Sequence, residues 1–136
     1  MEINGYRIEP GANLREADFS YADLTEADLT GANLYGANLQ YCNLSLTILK
    51  SALLVKANLT GANLWSANLQ NANLSIAILV DADLTSANLT GADLSYSDLT
   101  QAHLYSANLS GANLLGTNLL TAKYQGAIAP DGTVLE

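Results

Sequence analysis

Ala57-Asn58-Leu59-Thr60-Gly61-Ala62-Asn63-Leu64-Trp65-Ser66-Ala67-Asn68-Leu69-Gln70-Asn71-Ala72-Asn73-Leu74 restates itself every five residues. Outward from this stretch the rhythm runs unbroken from Leu14 to Tyr124. Of its 23 large apolar positions 21 are Leu, with Phe19 and Tyr124 completing the set. Two residues before each comes a small residue: Ala in 19 units, and otherwise Cys42, Thr47, Ser97 or Thr117. Asn or Asp stands between the two in 18 of the 23 units. A fixed short period over this length describes one stacked architecture, and it takes precedence over any local reading.

Neither ordinary element buries such a set. On an α-helix five residues advance roughly 140° net, so the leucines would spread around every side. On a straight strand the side-chain period of about 2 sends successive leucines to opposite faces. A short strand that turns once per unit does bury them. Within Ala-Asn-Leu the first and third residues share a face and the middle one points away. The remaining two residues swing the chain so that the next pair also points inward. Ala leaves room for Leu in a narrow interior. Asn and Asp suit a backbone near a bend, where their short side chains bond locally. The second residue after Leu is often Gly, as at Gly31, Gly61 and Gly91, which tolerates corner dihedrals that other residues resist.

Units such as ADLTE, ANLTG, ANLSG and ADLTS resemble the A(D/N)LXX motif of the pentapeptide-repeat family, and the resemblance covers residues 12–126. It implies an all-β fold: a right-handed quadrilateral parallel β-helix, a β-solenoid with four units per turn. The spacing of Gly11, Gly31, Gly91 and Gly111 by multiples of 20, with Ser51 and Asn71 at the same corner, agrees with four sides. So do Tyr21 and Tyr41, which would stack. The resulting rod has about six coils and is on the order of 28 Å tall.

The expected organisation is a single domain in three parts. Residues 1–11 break the rhythm and form an N-terminal cap around the Asn4-Gly5 turn. Residues 12–126 form the β-helix, and residues 127–136 a C-terminal turn or hairpin folded over the last coil, so that both ends are capped. Open ends of a solenoid are templates for unwanted pairing, which is why caps matter.

Composition narrows the function classes. The formal net charge is −8 with only five basic residues, Arg7, Arg15, Lys50, Lys56 and Lys123, so direct nucleic-acid binding is not expected. No apolar stretch is long enough to span a bilayer, and no basic n-region and apolar h-region opens the chain. A cytoplasmic protein without membrane contact is the expectation, in keeping with the single Cys42 and a reducing compartment. Cys42 takes an inward slot, where a thiol behaves as a small inert hydrophobe. His103 is the lone histidine, without a second ligand for a metal. Glu16, Asp18, Asp23, Glu26 and Asp28 ring the first coil, and Asp81, Asp83, Asp93 and Asp98 gather further on. A convex rod offers no cleft in which burial could separate their pKa values for acid–base work. No catalytic residues, no metal and no cofactor are therefore expected, and the chain reads as a non-enzyme.

Ile48, Leu53 and Ile78 replace Asn or Asp in the middle slot. With Val55, Val80 and the corner residues Leu46 and Ile76 they make an apolar band around the middle of the rod. An exposed apolar patch on a polar solenoid is a candidate contact surface. Ile48, Leu53, Val55, Ile76, Ile78 and Val80 are the candidate partner-binding residues, and the outward Tyr35, Trp65, Tyr96 and Tyr105 could extend the surface. Leu115 and Leu120 make a smaller patch assigned to packing beneath the C-terminal cap. The leading expectation is a rigid, non-catalytic scaffold for an unknown protein partner, itself a monomer or weak homodimer. The resemblance implies an alternative, since some relatives are acidic rods that mimic duplex DNA and bind type II topoisomerases. Two separated carboxylate belts and the excess of Asn over Asp speak against it here.

Overall fold

The computed structural model describes residues 1–136 and contains no helix. Twenty parallel bridges, each joining residues 20 apart, tie the middle-slot residues into four ladders. The first face carries Asn13, Asn33, Leu53, Asn73, Asp93 and Asn113, and the second runs from Asp18 to Asn118. The third runs from Asp23 to Lys123 and the fourth from Asp28 to Ile128. Each face therefore has six rungs, and the four-sided coil that the family resemblance implied is what the chain forms.

Hydrogen bonding explains why five residues suffice. In the unit Ala67 to Asn71, the Ala67 N–H closes a turn onto Leu64 O at 3.0 Å, and the Asn68 N–H bonds down to Thr47 O at 2.9 Å. Leu69 and Asn71 donate up to the next coil, to Asn88 O and Thr90 O at 2.7 and 2.9 Å. The fifth N–H, of Gln70, is taken by the Asn68 side-chain oxygen at 3.0 Å. The middle Asn or Asp thus completes such a unit by accepting from the first corner residue, so that all five of its backbone donors have partners.

The turn fixes the corner. Its third residue has positive φ in every unit from Glu16 to Gly126, while the residue before it does not, the signature of a type II turn. Gly fills some corners, but Ile76 and Thr121, both β-branched, adopt φ of 59° and 57°. Such residues are strained there. Gly61 shows a second requirement. A Cβ at that position would stand 2.5 Å from the Tyr41 ring, which lies across it from the coil before. Tyr21 in turn stacks on Tyr41, with centroids 5.2 Å apart.

The interior is one column of leucines and alanines, nearly all inaccessible. Where a hydroxyl takes the Ala slot it donates to a turn carbonyl, as Thr47 does to Leu44 O and Ser97 to Leu94 O, both at 2.6 Å. No buried side-chain polar atom is left without a partner.

The two ends differ. At the N-terminus β1 (Glu2–Ile3) and β2 (Tyr6–Arg7) pair antiparallel around Asn4-Gly5. Tyr6 meets Phe19 edge-on at 5.5 Å and Ile8 is buried. At the C-terminus Ile128 bridges Val134 antiparallel, so a hairpin forms. It extends the fourth wall by one strand, and its Pro130 and Leu135 border the interior at this end. Leu104, Leu109, Leu114, Leu119, Tyr124, Pro130 and Leu135 line an open apolar cup of about 280 Å³. Leu115 and Leu120 are 63% and 66% exposed, against the expectation that they pack beneath a cap. The reason is geometric: both occupy outward corner slots, and the hairpin stands on a different wall.

Candidate interaction surface

The mid-rod departures follow from the same geometry. Leu53 and Val55 lie on the first face, Ile48 on the fourth, and Ile78 with Val80 on and just beyond the second. Ile76 is the corner residue one coil above Lys56, and Leu46 is the corner preceding Ile48. The band thus covers parts of three faces and leaves the third to Asn43, Asn63 and Asp83. Ile48, Ile76 and Ile78 are exposed, Ile76 by half of its surface, whereas Leu53, Val55 and Val80 are half-buried.

Each substitution carries a structural penalty. Without Asn or Asp in the middle slot, the N–H groups of Lys50, Val55 and Val80 make no hydrogen bond within the chain. A hydrogen bond of this kind contributes about 1 kcal/mol. Leu46 and Ile76 hold left-handed corners at φ of 60° and 59°, where a bulky side chain costs roughly 1–2 kcal/mol. Periodicity alone did not reveal this penalty, because the role of the middle Asn as a backbone acceptor emerges only with the turn geometry.

The other outward residues form local pairs. Arg15 lies 4.2 Å over the Tyr35 ring, and the Lys56 ammonium is 5.9 Å from the same ring. Such cation–π contacts at exposed sites contribute about 0.5–1 kcal/mol. Tyr96 is exposed and lies across Gly116 as Tyr41 does across Gly61. Trp65 is exposed on the third side, and Tyr105 tilts against His103 at 5.8 Å.

The remaining polar groups follow the repeat. Asp18 accepts from the Ser20 N–H and hydroxyl, at 3.0 and 2.8 Å, and is thereby held below the ordinary carboxyl value. The Thr25 and Thr30 hydroxyls and N–H groups depress Asp23 and Asp28 in the same way. Burial pushes the Cys42 thiol up to about 12, with the Asp23 charge adding to the effect. A thiol so placed has no nucleophilic form at neutral pH. Asp81, Gln101, His103, Thr121 and Lys123 border a shallow polar hollow of about 230 Å³. No three His, Cys, Asp or Glu side chains stand close enough to hold a metal ion. No helix is long and apolar enough to cross a membrane.

Comparison with known proteins agrees with the repeat. The family model for pentapeptide repeats matches eight copies, over residues 12–50, 52–91 and 87–122. The chain is 40% identical to HetL, a pentapeptide repeat protein involved in heterocyst differentiation regulation in the cyanobacterium Nostoc. That likeness covers 92% of this chain and 62% of HetL, with a TM-score of 0.56. QnrB1, a plasmid-mediated fluoroquinolone resistance protein, matches over 92% of this chain and 68% of its own. Its 23% identity and TM-score of 0.56 show a likeness of fold alone. Rfr23 from the cyanobacterium Cyanothece is 34% identical over 85% of this chain and 65% of its own, with a TM-score of 0.45. No curated protein is similar to the chain at a comparable level. With its repeat matched over most of its length and its 20-residue coil closed on four faces, the chain is a right-handed quadrilateral β-helix of the pentapeptide-repeat family.

Proposed function

We propose that the protein is a non-catalytic scaffold whose mid-rod band, Ile48, Leu53, Val55, Ile76, Ile78 and Val80, docks a protein partner. The observation that carries this reading is the penalty at those positions. Three of the substitutions each leave a backbone N–H unpaired, and Ile76 strains a corner. Neither folding nor burial rewards an exposed isoleucine at positive φ, so contact with another molecule supplies the missing gain. A partner that accepts from the free N–H groups would restore those hydrogen bonds, and burial of the Ile76 side chain against it would offset the strain of its corner. The smooth exterior supports the non-catalytic part, since no deep cleft gathers polar groups for chemistry.

The acidic-rod alternative makes a different demand, a run of carboxylates at regular intervals along the rod. On the second face only Asp18 and Asp98 are acidic, and on the third only Asp23 and Asp83. No ladder has carboxylates on neighbouring rungs, which favours the apolar band over a phosphate-like stripe.

The test compares the parent with a variant carrying Leu53→Asn, Val55→Thr, Ile78→Asn and Val80→Thr, by affinity capture from the native cell and by size-exclusion chromatography. The variant keeps its circular dichroism spectrum and loses the captured partner. If the two proteins capture the same molecules and elute alike, the band is not the working surface.

A further inference from the structure

One rung of the first face is unlike every other. Its outward residues, in order, are Lys50, Ser51, Leu53, Val55 and Lys56, an apolar strip with a lysine at each end. The rungs on either side of it, Thr30 to Gly36 and Gln70 to Ile76, place Asn33, Tyr35, Asn73, Ser75 and Ile76 outward and carry no charged side chain. In a chain of net charge −8 with five basic residues, two of the five bracket this strip. The backbone adds to the same pattern. Lys50 N–H lacks an acceptor because Ile48 replaces Asn, and Val55 N–H lacks one because Leu53 does. In a regular unit that N–H points outward to the Asn side-chain oxygen, as in Gln70 to Asn68. The free Val55 N–H thus opens on the first face next to Lys56, whose ammonium lies 5.9 Å from the Tyr35 ring one coil below. The free Lys50 N–H opens beside Ile48 on the adjoining fourth face, and Lys50 stands at the corner between the two.

Two ammonium groups on either side of apolar side chains, with the Val55 N–H free between them, match a carboxylate–apolar–carboxylate segment. We propose that the Lys50–Lys56 rung binds a short acidic peptide segment of a partner protein, its apolar residues on Leu53 and Val55 and its carboxylates at the two lysines. This rests on the band being an interface and adds the chemistry of what it holds. Charge also decides against longer polyanions. Glu16, two rungs below, is offset by Arg15 at 3.9 Å, but Asp93 lies on the first face two rungs above, and Asp28 and Asp81 flank the band. A nucleic acid or an anionic membrane extending past the rung would meet them, whereas a segment of one rung's length would not.

The experiment measures fluorescence anisotropy of a fluorescein-labelled, end-blocked peptide, Glu-Glu-Val-Leu-Val-Glu-Glu, against its Lys-for-Glu counterpart, with phosphatidylglycerol vesicles as a separate arm. The parent binds the acidic peptide about ten-fold or more tightly than the basic one, and added salt weakens the binding. Lys50→Glu with Lys56→Glu abolishes the preference. Leu53→Asn weakens binding as well, because its side chain caps the Val55 N–H and removes the apolar contact. Lys123→Glu, at the far end of the third face, changes nothing. Equal affinity for both peptides, no binding by the parent, indifference to the lysine substitutions, or binding to the vesicles instead of the peptide would each overturn the proposal. These failures are separable from failure of the scaffold reading. A partner lost with the apolar variant but kept by the lysine variant leaves the interface standing and removes only its acidic ligand.

Discussion

The units Ala67 to Asn71 and Ala52 to Lys56 trace the same path, yet they differ by one hydrogen bond. In the first, all five backbone N–H groups have acceptors, the fifth through the Asn68 side chain. In the second, Ala52, Leu53, Leu54 and Lys56 donate as their counterparts do, and Val55 does not. Four bonds and an inward leucine are therefore enough to hold the coil. The fifth bond is separable from folding, which makes the middle slot the place where this architecture can take on an outward role at modest loss.

The deepest test of that division sets an inward leucine against an outward one. Leu69→Ala removes a fully buried side chain and opens a cavity between coils, and a loss of about 3–5 kcal/mol is expected from urea unfolding. Leu53→Ala, on the half-buried exterior, should cost less than about 1 kcal/mol. Comparable losses would mean that the outer face contributes to the core, and the separation of roles would fail.

The corners offer the next largest effect. Gly61→Ala places a Cβ at φ of 66° and 2.5 Å from the Tyr41 ring. It should destabilise by about 1–2 kcal/mol, the strain of an L-residue in the left-handed region plus the clash. Adding Tyr41→Ala to the same chain relieves the clash and leaves the backbone strain. A double-mutant cycle without coupling would show that the ring moves freely aside.

Restoring the rule sharpens the comparison directly. Leu53→Asn and Ile78→Asn each supply the missing acceptor and should stabilise by about 0.5–1.5 kcal/mol, while Asn68→Leu should lose a similar amount. Ile76→Asn relaxes a strained corner and gains about 1 kcal/mol. The three substitutions to Asn at Leu53, Ile76 and Ile78 raise the unfolding midpoint while losing partner contact. If they gain no stability, the penalty that motivates the interface vanishes with it.

Much of this could be read from residue order. The five-residue beat separates Leu and Ala from the outward slots, and the 20-residue spacing of Gly11, Gly31, Gly91 and Gly111 agrees with the four sides that the family resemblance implied. The pairing of Tyr41 with Gly61, and of Tyr96 with Gly116, was a second 20-residue signal, a bulky corner followed one coil later by the residue that leaves room for it. Two things were hidden. The hairpin at Ala129 to Thr133 was legible as a turn, but which wall it extends depends on where the coil stops, so the open cup and the exposed Leu115 and Leu120 were not. The apolar band was visible as a break in pattern. Its penalty was not, because that depends on a backbone donor whose partner is a side chain two residues away.

The smallest effect tests whether Asp in the middle slot does anything Asn does not. Asp18, Asp23 and Asp28 accept the same local bonds as Asn33, whose side-chain oxygen takes the Tyr35 N–H at 3.0 Å. Their carboxyls titrate below the ordinary value of 3.8, held there by the N–H and hydroxyl of Ser20, Thr25 and Thr30. The folded chain thus binds these protons more weakly than the unfolded chain. The stabilisation is complete above the unfolded value and fades as pH falls through the lower folded values. Changing all three to Asn keeps the acceptor and removes the titration. The variant should match the parent at neutral pH, or exceed it slightly as repulsion with Glu16 and Glu26 is relieved, and should lose less stability on acidification to about pH 3. Identical acid limbs in urea unfolding would assign the parent's acid sensitivity to other carboxylates, and the choice between Asp and Asn in this slot would then be a matter of surface charge alone.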